Sequence, residues 1–290
     1  ERNDVVRDEL ERVAALAARR RIAGRAQPDG GQAHALIGIL VQVAHAHVEL
    51  AVVLGGAQVA RRRVANVLAA AGDTETPSFA VSTVELNDQF GPADGGPVAS
   101  IKLANPLDGQ APFLRRSLLP GLMAVAHRNL SRGFTDLALF EAGAVFLPEP
   151  GVQYGTDEVP PAAQRPSPET LAVLAAAIPP QPRHAAVLLL GALIPKQPGQ
   201  PAVATGIEDA LDAVHTIAAA VGEKINIIQG QRPALHPGRT GILSIAGEVV
   251  GYVGELLPAI AEAADLPSVV AVAELDLDRA IALSGGAVTA

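Results

Sequence analysis

The sequence predicts an α+β fold, an antiparallel sheet flanked by helices. Three observations lead there. The run TGILSIAGEVVGYVGEL has strand-like stretches on either side of a Gly247-Glu248 turn, the pattern of a hairpin and hence of an antiparallel pair. The run AAVLLLGAL, bounded by Pro182 and Pro195, reads as a buried strand. The helical stretches are too irregularly spaced for a doubly wound parallel sheet.

In chain order, Asp4 to Arg21 is rich in helix formers, with Val6, Leu10, Val13 and Leu16 along one stripe. Ala57 to Ala71 repeats that pattern through Val59, Val64, Val67 and Leu68, and Gly72 is its stop. The run LLPGLMAVAHRNLSRG reads as a helix opened by Pro120, whose missing N–H costs nothing in the first turn, with Ser117 as its cap. DLALFEAGAVFLP has the mix of a strand, broken at Gly143 as by a hairpin or bulge. Leu147 to Pro168 is dense in proline, glycine and charge and reads as a loop crossing between two halves. Ile207, Leu211, Val214, Ala218 and Val221 recur at helical spacing, so that helix packs one face on a sheet.

Composition narrows the function classes. With 290 residues, 49% of them hydrophobic, the chain can bury a substantial core. A net charge of −8 argues against a nucleic-acid grip spread over the surface, which needs clustered Lys and Arg. The absence of cysteine excludes disulfides, thiolate zinc sites and a cysteine nucleophile, and fits a reducing compartment. There is no initiator methionine and no signal-peptide pattern at the start, so the chain reads as a segment of something longer or as a processed or misplaced start. Ala35 to Gly56 reaches membrane-spanning length, but Gln42, His45, His47 and Glu49 sit in its middle, where each is costly in hydrocarbon.

On a strand, His45, His47 and Glu49 would share one face and could hold a metal. On a helix they scatter, and the bland reading is the stronger one. His34, His127, His184, His215 and His236 stand alone and read as satisfied core or surface groups. No G-x-G-x-x-G, Walker or G-x-S-x-G motif occurs. Arg61, Arg62 and Arg63 read as a solvated helix face. The pair Arg115 and Arg116 suits a carboxylate or a phosphate equally, and an ion pair with an acid such as Glu141 weighs evenly against a ligand contact.

Two ordered blocks resemble the beta chain of bacterial phenylalanyl-tRNA synthetase, in its catalytic-like module. The first is NPLDGQAPFLRRSLLPGL followed by NLSRG and LFEAGAVF. The second is LHPGRTG, then VGYVGELLPAI and VAELDLDRA. Weaker likeness extends to VARRRVANVLAAAGDTETPSF, where Asp73 replaces the aromatic of the family's turn, and to RNDVVRDELERVAAL. Ile22 to Gly55 has no counterpart. The implied organisation is a poorly matched segment 1–55, a first half of the module 56–147, a Pro/Gly-rich connection 148–169, a second half 170–282 and a tail 283–290.

The resemblance implies a class II aminoacyl-tRNA synthetase fold in a degenerate copy. It implies a cytoplasmic, non-catalytic partner that supports an alpha chain in ATP-dependent charging of tRNA with phenylalanine, in a heterotetramer of two alpha and two beta chains. ATP and Mg²⁺ would then sit in the alpha chain, tRNA would be met through the whole complex, and no membrane would be involved. A structural or interface role falls to Asn105, Pro106, Arg115, Arg116, Pro120, Asn129, Phe140, Glu141 and Gly143, and to His236, Pro237, Arg239, Gly254, Glu255, Pro258 and Glu274. Phe113 and Phe140 are the aromatics expected on an alpha-facing surface. A class II site needs one arginine on the ATP α-phosphate and a second in a Gly-rich helix start. Arg115 or Arg116 could mimic the first, but no arginine follows Gly285 and Gly286. Two alternatives stay open: a stand-alone α+β protein binding a metal or small ligand, and a chain that folds poorly.

Overall fold

A computed structural model describes residues 56–93, 99–157, 159–160 and 162–284. The helix expected over Asp4 to Arg21, and the trio His45, His47 and Glu49, lie outside the described residues. Helix α1 (Gly56–Ala71) leads into β1 (Thr74–Glu75), β2 (Val81–Ser82), α2 (Val84–Phe90), β3 (Phe113–Leu114), α3 (Leu119–Leu130) and β4 (Leu137–Ala144). After a long connection come α4 (Pro168–Ala176), β5 (Arg183–Leu190), β6 (Ala192–Ile194), β7 (Val203–Ala204) and α5 (Ile207–Val221). The chain then runs through β8 (Asn226–Gln229), β9 (Leu235–Ile245), β10 (Glu248–Leu256), α6 (Pro258–Ala263), β11 (Val270–Asp276) and α7 (Leu277–Leu283).

Seven strands form one sheet in the order β1-β4-β5-β11-β10-β9-β8. Only the short β1–β4 pair is parallel; the other five pairings are antiparallel. Both halves of the chain supply strands to this sheet. Its two faces are buried, which is why β5 reads as an unbroken apolar run rather than an alternating one. Ala185, Val187 and Leu189 point to a core shared with Val64 and Leu68 of α1, Val214 and Ile217 of α5 and Ile281 of α7. Ala186, Leu188 and Leu190 point to the opposite core, with Leu119, Leu122 and Met123 of α3, Phe90 of α2 and Ile260 of α6. Each large aliphatic side chain buried in this way contributes about 1.5–3 kcal/mol.

The helix ends follow local chemistry. Gly72 takes φ +112 just past α1, a conformation an L side chain rarely adopts. Asp209 accepts a hydrogen bond from the Gly206 N–H at 2.8 Å to start α5, and Gly222 closes it in the left-handed region. Thr83 caps the short α2, accepting from the Leu86 N–H at 3.2 Å. Among the described residues no helix is long and apolar enough to cross a membrane.

Two local expectations are corrected. Strand β4 runs through Gly143 without a hairpin or bulge, in register with His184 of β5. Glycine is required there for space: a Cβ would lie 2.6 Å from Nη2 of Arg115 and 2.7 Å from Oε1 of Glu141. The β9–β10 turn consists of Ala246 and Gly247, one residue earlier than the sequence reading, because Ile245 pairs with Glu248. Both turn residues have positive φ, 51° and 84°, as a two-residue hairpin loop that matches the strand twist demands.

Gly247 meets that demand freely, whereas Ala246 carries a Cβ in the left-handed region. Ala246→Asn is therefore expected to stabilise the protein by about 0.5–1 kcal/mol, or about 1–4 °C in Tm, in a thermal melt.

Candidate functional site

The polar residues of the sheet gather on the face covered by α3. Tyr252 of β10 pairs with Glu274 of β11, Glu274 with Ala186 of β5, and Ala186 with Glu141 of β4, so three polar side chains stand in one row across four strands. His184 lies two residues from Ala186 and shares its face. The segment Arg115–Leu118, which leads into α3, lies over this row and touches it at two points.

The first point is Glu274, which has no solvent exposure. Its Oε1 accepts from the Leu118 N–H at 3.2 Å and meets Nδ1 of His184 at 2.7 Å. Its Oε2 accepts from Ser117 Oγ at 2.5 Å and from the Tyr252 hydroxyl at 3.1 Å. Because a carboxylate only accepts, Nδ1 of His184 carries the hydrogen of that contact. The other ring nitrogen, Nε2, is buried with no hydrogen-bond partner among the described residues.

Ser117 also accepts from the Leu119 N–H at 3.1 Å, one residue ahead of the conventional cap, and Pro120 has no N–H to satisfy. The Leu118 and Leu119 N–H groups at the start of α3 thus end on Glu274 and Ser117. Burial, and next the charge of Glu274, push the Tyr252 phenol well above the ordinary tyrosine value. Arg232 lies 4.3 Å above its ring while donating to the Phe90 and Pro92 carbonyls at 2.8 and 2.6 Å.

The second point is Arg115. Its Nη1 lies 2.8 Å from Oε1 of Glu141 and 2.9 Å from Ser78 Oγ, and its Nε donates to the Ala144 carbonyl at 2.9 Å. Ser78 in turn donates to Oε2 of Glu141 at 2.6 Å. Arg115, not Arg116, is therefore the partner of Glu141. Arg116 is also buried, with Nη2 2.7 Å from Asp88 and its backbone N–H bonded to Asn87 Oδ1 at 3.1 Å.

The other motif residues lie elsewhere. Asn105 and Pro106 belong to the exposed connection between Lys102 and β3. Asn129 bonds the Val125 carbonyl at 2.9 Å near the end of α3. Phe140 is fully buried in the opposite core, so it cannot face a partner, contrary to expectation; its place in the row's neighbouring register turns it to the other face of the sheet. His236 accepts from the Gly238 N–H at 3.1 Å through Nδ1 at the start of β9. Arg239 pairs with Glu255, while a Cβ on Gly254 would lie 2.5 Å from the Arg239 carbonyl oxygen, and Pro258 opens α6. Tyr252, His184, Ser117 and Ser78 escaped the sequence reading of the site. The one available signal was a polar residue falling on the buried parity of a strand.

These residues fall within a recognised family. The description "Phenylalanyl tRNA synthetase beta chain CLM domain" covers residues 48–277. The chain belongs to the phenylalanyl-tRNA synthetase beta-chain family. It is 52% identical over 241 residues to the phenylalanine–tRNA ligase beta subunit of Leifsonia xyli subsp. xyli, covering 82% of this chain and 28% of that protein. It is 40% identical over 235 residues to the same subunit of Streptomyces avermitilis, covering 78% and 28%. The chain thus spans little more than a quarter of the length of these relatives. The fold is also that of pyrrolysyl-tRNA synthetase from Desulfitobacterium hafniense, with a TM-score of 0.54 over 90% of this chain and 83% of that one at 14% identity. This likeness supports the α+β, class II synthetase architecture read from the sequence.

Removing the central carboxylate leaves several buried donors unpaired. Glu274→Ala is expected to cost about 3–5 kcal/mol, and Glu274→Gln, which keeps an acceptor in place, about 1–3 kcal/mol, both read by chemical denaturation. The raised phenol of Tyr252 acts at the alkaline end. Folding favours its neutral form, so its contribution is complete below the unfolded tyrosine value of about 10 and is lost as pH rises towards the folded value. Tyr252→Phe should cost about 1–2 kcal/mol at neutral pH and flatten the fall of stability above pH ~10.

Proposed function

We propose that this chain is the synthetase-like, non-catalytic module of a phenylalanine–tRNA ligase beta chain. It supports an alpha chain that charges tRNA with phenylalanine at the expense of ATP, in an assembly of two alpha and two beta chains. The observation that carries this reading is the occupancy of the sheet face by the protein's own groups. A synthetase site aims unpaired donors at phosphates and at the charge that develops during transfer. Here Nε and Nη1 of Arg115 are bound to Ala144, Ser78 and Glu141, Nη2 of Arg116 is paired with Asp88 while its Nε has no partner among the described residues, and the row around Glu274 is covered by Ser117 and Leu118.

The ion pairs of Arg115 and Arg116 support assigning ATP and Mg²⁺ to the alpha chain. Among the described residues no cluster of three or more His, Asp or Glu side chains is arranged to hold a metal ion, and His45, His47 and Glu49, on which the metal alternative rests, lie outside them. A net charge of −8 supports a reading in which tRNA is met through the whole complex.

Co-expression with the cognate alpha chain, followed by light scattering, tests the reading. The expected result is a complex containing both chains, and a purified beta module that shows no phenylalanine-dependent pyrophosphate exchange. Elution of the module alone, or exchange activity without the alpha chain, would contradict it.

A further inference from the structure

We propose, independently of that function, that one buried water molecule sits among Nε2 of His184, Nη2 of Arg115 and Oε1 of Glu141 and joins the two polar points of the sheet face into a single network. The need for it comes from the imidazole. His184 has no solvent exposure, and its Nδ1 carries the hydrogen shared with Glu274. The neutral ring then presents a lone pair at Nε2, for which the described residues supply no donor. A buried acceptor left in that state forfeits its hydration, and ordered water is its usual partner where no protein group reaches.

The place of the water follows from the sheet. The two nitrogens of an imidazole ring point in nearly opposite directions, and Nδ1 faces Glu274 of β11, on one side of β5. Nε2 is thereby turned towards β4 on the other side, where Gly143 pairs with His184. Facing Cβ positions in an antiparallel pair lie about 4.5–5.5 Å apart. The Cβ position of Gly143 is lined by Nη2 of Arg115 at 2.6 Å and Oε1 of Glu141 at 2.7 Å, with Cδ2 of Leu118 at 3.2 Å. The missing side chain at 143 thus brings a donor and a carboxylate oxygen next to the imidazole acceptor. Arg115 uses Nε and Nη1 for Ala144, Ser78 and Glu141, which leaves Nη2 for the water. The water accepts from Nη2 and donates to Nε2 and to Oε1, a set of about three bonds that is usual for buried water. His184 is then held at both ring nitrogens, and the segment Arg115–Leu118 is fastened to the sheet at a third point.

Nitrogen-15 NMR of the full 290-residue chain reads the ring directly. The expected result is His184 as the Nδ1–H tautomer, with Nε2 unprotonated and its resonance displaced upfield by the hydrogen bond it accepts. A crystal structure of the same chain should show one water within about 3.2 Å of Nε2, Nη2 and Oε1. Substitutions test the linkage. Arg115→Lys keeps a charge beside Glu141 and removes Nη2, while His184→Asn keeps a donor for Glu274 and removes Nε2. Each is expected to raise the unfolding equilibrium constant. Together they should raise it at least about threefold less than the product of the two single effects, because either change alone breaks the bridge. If Arg115→Lys does not fold, the wild-type spectrum and crystal structure decide. A hydrogen on Nε2, a well-ordered crystal structure with no water between these atoms, or fully additive effects of the two substitutions would each overturn the proposal.

Discussion

A carboxylate sealed from solvent has to find its hydrogen bonds inside the protein, since an ionised group left unpaired in a medium of low dielectric costs many kcal/mol. Glu274 meets that requirement with donors from three places in the chain: His184 on β5, Tyr252 on β10, and Ser117 with the Leu118 N–H at the entrance to α3. Ser117 lies 157 positions from Glu274 in sequence, so the carboxylate is satisfied only when the strands and the helix entrance are all in place. That requirement fixes the register of three adjacent strands as firmly as their backbone ladder does. It also anchors the helix whose side chains fill the core on that face.

The arrangement of charges follows from the same constraint. A sheet buried on both faces offers polar side chains no route to water, which favours pairing them across the row. Glu141 and Arg115 solve this as an ion pair completed by Ser78 and the Ala144 carbonyl, leaving the carboxylate with two partners and the guanidinium with three. Gly143 and Gly121 are the steric counterpart of that solution, because the atoms of the charged group occupy the space where their Cβ atoms would stand. The glycine in the LFEAGAVF run is thus explained by its neighbours' side chains and not by a turn.

Much of this architecture was legible because it rests on local periodicity. The apolar run before Gly191, the helical stripe of α5 and the stop at Gly72 each state their structure within a dozen residues. The paired arginines and Glu141 were visible as chemistry, but which arginine met the acid depended on how Arg115–Leu118 lies over β4, a contact between elements that no local pattern encodes. Phe140 was misplaced as a surface aromatic for a similar reason. Its neighbour Glu141 shares the polar row, and period-two alternation then sends Phe140 to the opposite core, which the parity of β4 would have shown once the acid's face was known. Ala246 illustrates the opposite failure: glycine draws attention as a turn residue, but the hairpin register made it the second turn residue, not the first.

On the reading proposed above, the difference between a synthetase site and this module lies in where the donors point. Catalytic groups are held in orientation by packing while their hydrogen-bonding capacity is left open for a charge that arrives with the substrate. In this chain charge is already present on Glu274 and Glu141, and Arg115, Ser117 and Tyr252 are paired with it. A resident carboxylate and an incoming phosphate compete for the same guanidinium and hydroxyl groups, and the resident one is covalently part of the fold. Strengthening such a network stabilises the scaffold and closes the site in the same step. A fold whose sheet face no longer has to stay open for ligand can pack α3 directly onto it, which is the arrangement of Leu119, Leu122 and Met123 against Leu188 and Leu190.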